Sequence, residues 1–145
     1  MSNKTSFQPD GYHTVNPYLA VKGASKLLEF LQSAFGAQIL VEPFRAPDGT
    51  IMHAAVRIGD SIIGLADAPA EPSHAALSMY VEDTDAEYER AIAAGAISLR
   101  EPMDTFYGER SAGVQDPCGN QWWLACRTEK LSREEILNRA RSSNG

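Results

Sequence analysis

Residues 116 to 124 read Asp116-Pro117-Cys118-Gly119-Asn120-Gln121-Trp122-Trp123-Leu124, a turn followed by a bulky run. Asp-Pro followed by Gly-Asn is turn chemistry, because proline fixes φ while glycine and asparagine tolerate a left-handed backbone. The bulky run behind the turn reads as a strand. Neighbouring side chains on a strand point to opposite faces, so of the chain's two tryptophans one is expected in a packed core and one on the second face.

The end of that strand repeats an earlier one. Leu124-Ala125 matches Leu65-Ala66 at an offset of 59 residues, and the same offset relates Gly95-Ala96 to Gly36-Ala37, Glu101-Pro102 to Glu42-Pro43 and Gly108 to Gly49. Val81 matches Val21 at 60. Several pairs at one offset indicate an internal duplication. The repeated unit reads as strand, helix and three strands. In the first copy these are Val15 to Val21, interrupted by Pro17; a helix with apolar Ala24, Leu27, Leu28, Leu31, Ala34 and Phe35, closed by Gly36; then Ile39 to Phe44, Met52 to Ile58 and Ser61 to Ala66. In the second copy, Ala76 to Val81 leads into a helix whose Thr84 and Glu87 read as a capping box. The expected organisation is a loose N-terminus over 1–11, a first βαβββ module over 12–68, a linker over 69–73, a second module over 74–128, and a C-terminal helix and tail over 129–145. Ser132 and Glu135 form a further capping box, with Leu131 and Ile136 placed as a hydrophobic staple.

The composition excludes several classes. With 43% hydrophobic and 22% charged residues the chain is of ordinary globular make-up, and a net charge of −6 with no basic stripe argues against nucleic acid as a partner. No apolar run approaches membrane-spanning length and the N-terminus lacks a leader pattern, so the expectation is a soluble, cytoplasmic protein with no membrane partner. Cys118 and Cys126 have neither C-x-x-C spacing nor a nearby histidine cluster, and read as incidental thiols.

A four-stranded unit with one helix covers one face of its sheet, so two copies side by side are expected to place helices outside and bare faces curved toward each other around a cleft. The paired βαβββ units, the Gly-Ala after each helix, Tyr107-Gly108-Glu109-Arg110, and Asp116-Pro117 through Trp123 resemble the vicinal oxygen chelate superfamily of glyoxalase I, bleomycin-resistance proteins and extradiol dioxygenases. Within it, the chain resembles the branch often labelled demethylubiquinone methyltransferase-like, although no glycine-rich nucleotide loop supports a methyltransferase. The resemblance covers roughly residues 12 to 128. It implies an α+β fold of two βαβββ modules forming a curved mixed sheet around a cleft, helices outside, and a homodimer whose cleft is often completed by a second chain.

The resemblance also implies four positions where family metalloenzymes hold a divalent ion. They fall on Asn16 and Ala76 in the first strands and on Gly64 and Trp123 in the last strands. Alanine, glycine and tryptophan offer no lone pair to such an ion, so the expectation is a kept cleft without the metal centre and no cofactor. Strand parity then places Gln121 with Trp123, Tyr18 with Asn16, and Ser78 and Tyr80 with Ala76 on the cleft face, leaving Trp122 and Leu124 for the core. Met52, Ala54, Val56 and Ile58 are assigned to the helix side, His53, Ala55 and Arg57 to the cleft, with Arg110 related to them through the repeat. Tyr107 is placed at the cleft mouth.

A cavity lined by Trp, Tyr, His, Arg, Gln and Ser has the make-up of a small-molecule site. Two functions follow, besides a domain whose cleft is closed by its own side chains and which acts only through its surface. One is a binding module for an aromatic or amphipathic molecule, as in the family's antibiotic-resistance members. The other is a glyoxalase-like lyase or other small-molecule enzyme, either metal-dependent through displaced ligands such as His53, Asp67, Glu109 or Asp104, or metal-free with His53 or Tyr107 carrying a proton and Arg110 stabilising an oxyanion. Each residue also has a plainer role. Trp123 can fill the space of the absent ion, Arg110 can pair with Glu109 or Asp104, and His53 can be a hydrogen-bonded structural histidine.

Overall fold

In a computed structural model that describes residues 6–143, the chain forms eight strands and three helices. Residues 1–5 of the expected loose N-terminus and 144–145 of the expected tail lie outside the described residues. The first module comprises β1 (Tyr18–Val21), α1 (Ala24–Phe35), β2 (Gln38–Arg45), β3 (Ile51–Ile58) and β4 (Ser61–Asp67). The second comprises β5 (Ala76–Tyr80), α2 (Thr84–Ala93), β6 (Ile97–Asp104), β7 (Glu109–Gln115) and β8 (Gln121–Arg127), and α3 (Arg133–Ser143) follows. Each module is a four-stranded mixed sheet, ordered β1-β4-β3-β2 and β5-β8-β7-β6, whose first strand runs parallel to its last. The α+β fold is the one the duplication predicts.

Local chemistry explains most element ends. α1 carries a wide apolar face, with Leu27, Leu31 and Ala34 fully buried, and it has no cap from its own first turn. Its cap comes from the end of β4 instead. Asp67 Oδ1 accepts the backbone N–H groups of Gly23 and Ala24 at 3.2 and 2.9 Å, while Oδ2 accepts that of Ile51 at 2.7 Å. The carboxylate thus satisfies donors the helix would otherwise leave orphaned and ties β3 to β4. In α2 the cap is local but one residue earlier than the predicted Thr84: Asp83 accepts from Ala86, and the Thr84 hydroxyl donates to the Arg110 carbonyl instead. The box before α3 forms as predicted, Glu135 N–H donating to Ser132 Oγ and Ser132 Oγ donating to Glu135 Oε1.

The turn at 116–120 proves to be a buried anchor. Asp116, 1% exposed, accepts four hydrogen bonds: Cys118 N–H and Asn120 N–H on Oδ1, Asn120 Nδ2 and Trp122 Nε1 on Oδ2. Asn120 Oδ1 in turn accepts the Ala75 N–H, joining the turn to the start of β5. Trp122 packs into the core against Phe35 of α1, ring centroids 5.0 Å apart, as strand parity predicts.

That contact also corrects the expected arrangement of the two bare faces. Phe35 belongs to the first module and Trp122 to the second, Arg90 of α2 donates to the Ser33 carbonyl of α1, and one hydrophobic core contains residues of both helices and both sheets. Ile58 and Ile63 of one sheet and Leu77, Met79 and Trp122 of the other line a common crevice, and all lie on the helix-bearing faces. The modules therefore meet through their helix-bearing sides, where the apolar side chains of both helices are removed from water. Within one chain the bare faces turn away from each other and do not enclose a cleft.

Two strand assignments also shift. The first strand begins at Tyr18, leaving Asn16 in the preceding turn. On β3, Met52 is 64% exposed and Ile51 is 1% exposed, so Ile51 takes the core place assigned to Met52. The ladder with β4 is regular only from Ala54 onward and the β2 pairing is irregular around His53, so one extra residue reverses the alternation there.

Candidate functional site

Each bare face is organised by one aromatic ring laid flat over its own register partner. In the first sheet, Tyr18 pairs with Gly64, and a Cβ on Gly64 would stand 2.5 and 2.7 Å from Tyr18 Cδ2 and Cε2. In the second, Trp123 pairs with Gly113, where a Cβ would stand 2.7 Å from both Cε3 and Cη2 and closer still to Cζ3. Real side chains do not approach that closely, so glycine is required under each ring. The repeat exchanges the partners. Tyr18 corresponds to Ser78 and Gly64 to Trp123, so each module keeps one ring, from its edge strand in the first and from a central strand in the second.

Polar contacts fix both rings. The Tyr18 hydroxyl lies 3.0 Å from His53 Nδ1, and the two rings stack at 5.7 Å with planes 8° apart. Trp123 Nε1 donates to Gln121 Oε1 at 3.1 Å, and the Arg100 guanidinium lies over the indole, 5.2 Å from its centroid. Arg100, on β6 opposite Gly113, donates through an Nη to Ser111 Oγ at 2.5 Å. A groove of about 570 Å³ beside Tyr18 is floored by Ala20, Met52 and Ala66 and closed by Asp48 and Pro69. That volume lies within the range of small-molecule sites. A hollow of about 680 Å³ between the modules has an acidic rim of Asp60, Glu82, Asp83 and Glu87 and holds neither ring platform.

The other predicted residues divide. Ser78 pairs with Trp123, and Tyr80 is 70% exposed on the same face, donating to Glu109 Oε2 at 2.6 Å. That bond holds the Tyr80 phenol above its ordinary pKa, with the neighbouring Glu109 charge adding to the shift. Tyr107, in the loop before β7, packs edge-on against Phe106. Arg110 is not on the bare face. It shares the parity of Ala112 and Val114, which are buried toward the helix, and it forms a forked pair with Asp85 at 2.9 and 3.1 Å, with Asp104 at 3.5 Å. The Arg110 hydrogen bond holds Asp85 below its ordinary carboxyl range. Its expected place on the bare face is taken by Arg100, which the sequence reading missed. The repeat held the signal: Arg110 corresponds to buried Ile51, and Arg100 to Val41, whose partner Ala55 lies on the bare face.

The family's metal positions do not form a donor set. The Asn16 amide is engaged by His13, accepting its N–H at 2.9 Å and donating to its carbonyl at 2.7 Å. Gly64 lies under the Tyr18 ring, Ala76 opens β5, and Trp123 presents only its N–H donor. The displaced candidates are dispersed: Asp67 caps α1, Asp104 faces Arg110 and Glu109 holds Tyr80. Among the described residues no three His, Cys, Asp or Glu side chains gather as a metal site. Burial, the largest cause, pushes the Cys118 thiol up to about 11, so it is no nucleophile at neutral pH.

The sequence model of the glyoxalase/bleomycin resistance protein/dioxygenase superfamily matches residues 12–124. The chain belongs to that superfamily. Its glyoxalase/bleomycin-resistance fold recurs in TioX from Micromonospora sp. ML1, with a TM-score of 0.66 at 24% identity over 78% of this chain and 98% of that one. A glyoxalase-related enzyme from Fulvimarina pelagi superposes with a TM-score of 0.63 at 20% identity, covering 79% of this chain and 88% of that chain. An uncharacterised protein of Mycobacterium bovis is 30% identical over 144 residues, covering 90% of this chain and 93% of its own length. Among the described residues no helix is long and apolar enough to cross a membrane.

Proposed function

We propose that this superfamily member binds a small planar, aromatic or amphipathic molecule, in the manner of a bleomycin-resistance-type binding protein, on a groove that a second copy completes. The observation that carries the reading is the pair of ring platforms, Tyr18 over Gly64 and Trp123 over Gly113. Rings held by a glycine notch, a hydrogen bond and a stacked neighbour are preorganised, so a flat ligand meets them with little ordering cost. The unfit donor set at the family's ion positions supports binding without a divalent metal or other cofactor. Each bare face is one open wall, with Tyr18, Phe44, Met52, Tyr80 and Ile97 all more than half exposed. A two-fold homodimer that sets the first module of one chain against the second module of its partner covers these residues and makes a two-walled site.

The test is ligand-observed NMR with planar and non-planar fragments of equal size, against the protein and its Tyr18→Ala and Trp123→Ala variants, together with light scattering. Planar fragments are expected to bind in preference, to weaken at least ~10-fold in either variant, and to meet a dimer. A protein that binds both sets alike, or neither, refutes the reading.

One observation favours a second reading, a metal-free enzyme. His53 Nδ1 is held by Tyr18, and no hydrogen bond among the described residues engages its Nε2, the arrangement of an oriented proton carrier. His53→Ala with unchanged turnover on an identified substrate removes it.

A further inference from the structure

The ligand's charge can be read from the second bare face. We infer that the bound molecule is a planar aromatic carboxylate whose anionic end pairs with Arg100 beside Trp123; this rests on the binding function proposed above. Arg100 is half-buried, its Nε is buried with no hydrogen-bond partner, and its only side-chain bond among the described residues goes to Ser111. Arg90, Arg110 and Arg139 each have a carboxylate within ion-pair distance, and among the described residues Arg100 has none. A guanidinium presents five donors in a planar fork that matches a carboxylate; Nε is closed off inside the protein, so a ligand meets the Nη donors, of which Ser111 takes one.

The charge distribution points the same way. On the strands, the charged side chains that register and parity place on the bare faces, apart from His53, are Arg57, Arg100, Arg127 and Glu109. Glu109 is already engaged by the Tyr80 hydroxyl. At these strand positions three arginines stand against one carboxylate, in a chain of net charge −6. Such a field attracts anions and disfavours cationic ligands. Trp123 is only half-buried, so part of the indole stays open beside the guanidinium. A ligand with an aromatic ring and an attached carboxylate engages both at once, and neither an aliphatic acid nor a neutral aromatic does.

The experiment is isothermal titration with three probes, 2-naphthoate, 2-naphthamide and cyclohexanecarboxylate, using the full-length protein and its Arg100→Gln variant, with circular dichroism to confirm folding. Naphthoate is expected to bind at least ~10-fold more tightly than either other probe, and Arg100→Gln to bring naphthoate down to the naphthamide affinity without changing naphthamide. Arg57→Gln serves as a second variant of like charge change, and it is expected to reduce naphthoate binding less than Arg100→Gln. Equal binding of naphthoate and naphthamide, or an unchanged ratio in Arg100→Gln, overturns the anion assignment and leaves the planar-ligand reading standing. Failure of all three probes to bind overturns both.

Discussion

Substituting Gly113 by alanine tests the platform argument at its tightest point. The added Cβ would meet Cε3 and Cη2 of Trp123 at 2.7 Å, so the ring must retreat by about 1 Å to reach ordinary van der Waals separation. Overpacking of this kind costs roughly 1–3 kcal/mol, and displacing the indole from under Arg100 forfeits a cation–π contact of about 0.5–1 kcal/mol. The substitution also stiffens the unfolded chain, which favours folding by about 0.4–1 kcal/mol. Steric loss wins, because the ring is held at both ends and cannot yield freely. The expected net destabilisation is about 1–3 kcal/mol, or a Tm lower by about 3–9 °C for a chain of this length at fixed protein concentration. Trp122 is 1% exposed and Trp123 half-buried, so a red shift of tryptophan emission reports Trp123 leaving the sheet. A double-mutant cycle isolates the cause. In a Trp123→Ala background Gly113→Ala is expected to become neutral or mildly stabilising, since the ring it strikes is gone. If Gly113→Ala destabilises both backgrounds equally, or leaves emission and Tm unchanged, the ring does not lie on the glycine and the platform reasoning fails.

Other outcomes follow from the same geometry. Asp116→Asn keeps the shape of the turn but leaves Trp122 Nε1 or the Asn120 amide facing a donor, and urea denaturation should record a loss of about 2–4 kcal/mol. Asp67→Ala uncaps α1 and frees Ile51 N–H together, so it is expected to cost about 2 kcal/mol, more than Asp83→Ala, which loses one exposed cap bond worth ~1 kcal/mol. Asp85 has a folded-state pKa below its ordinary 3.8, so the unfolded chain takes up its proton first. Its contribution to stability is present above pH 3.8 and is lost as the pH falls through the folded-state value, and Asp85→Asn should flatten that acidic limb of a stability profile. With its thiol pushed from 9.0 to about 11, Cys118 should react with a small alkylating agent at pH 8 about 100-fold more slowly than an unshifted thiol, read by mass spectrometry of the labelled peptide.

The platform residues were half-legible. Tyr18, His53, Gln121 and Trp123 stand on the bare faces as strand alternation predicts, because alternation is a local rule that a regular ladder obeys. Alternation failed where a bulge intervened: one extra residue near His53 exchanged Met52 for Ile51. Arg110 was misplaced because its parity was carried across the repeat without fixing the register, and the cap that Asp67 supplies to α1 spans more than forty residues and leaves no local pattern.

What the amino-acid sequence determined by itself was the doubled βαβββ unit, its turns, and which tryptophan enters the core, since periodicity, glycine placement and turn chemistry act over a few residues. Tertiary structure alone decided that the modules join through their helices, turning the bare faces apart, and that Arg100 and not Arg110 stands beside Trp123. Those outcomes depend on how buried area is shared between distant surfaces and on irregularities in strand pairing, and neither is encoded in a short stretch of residues.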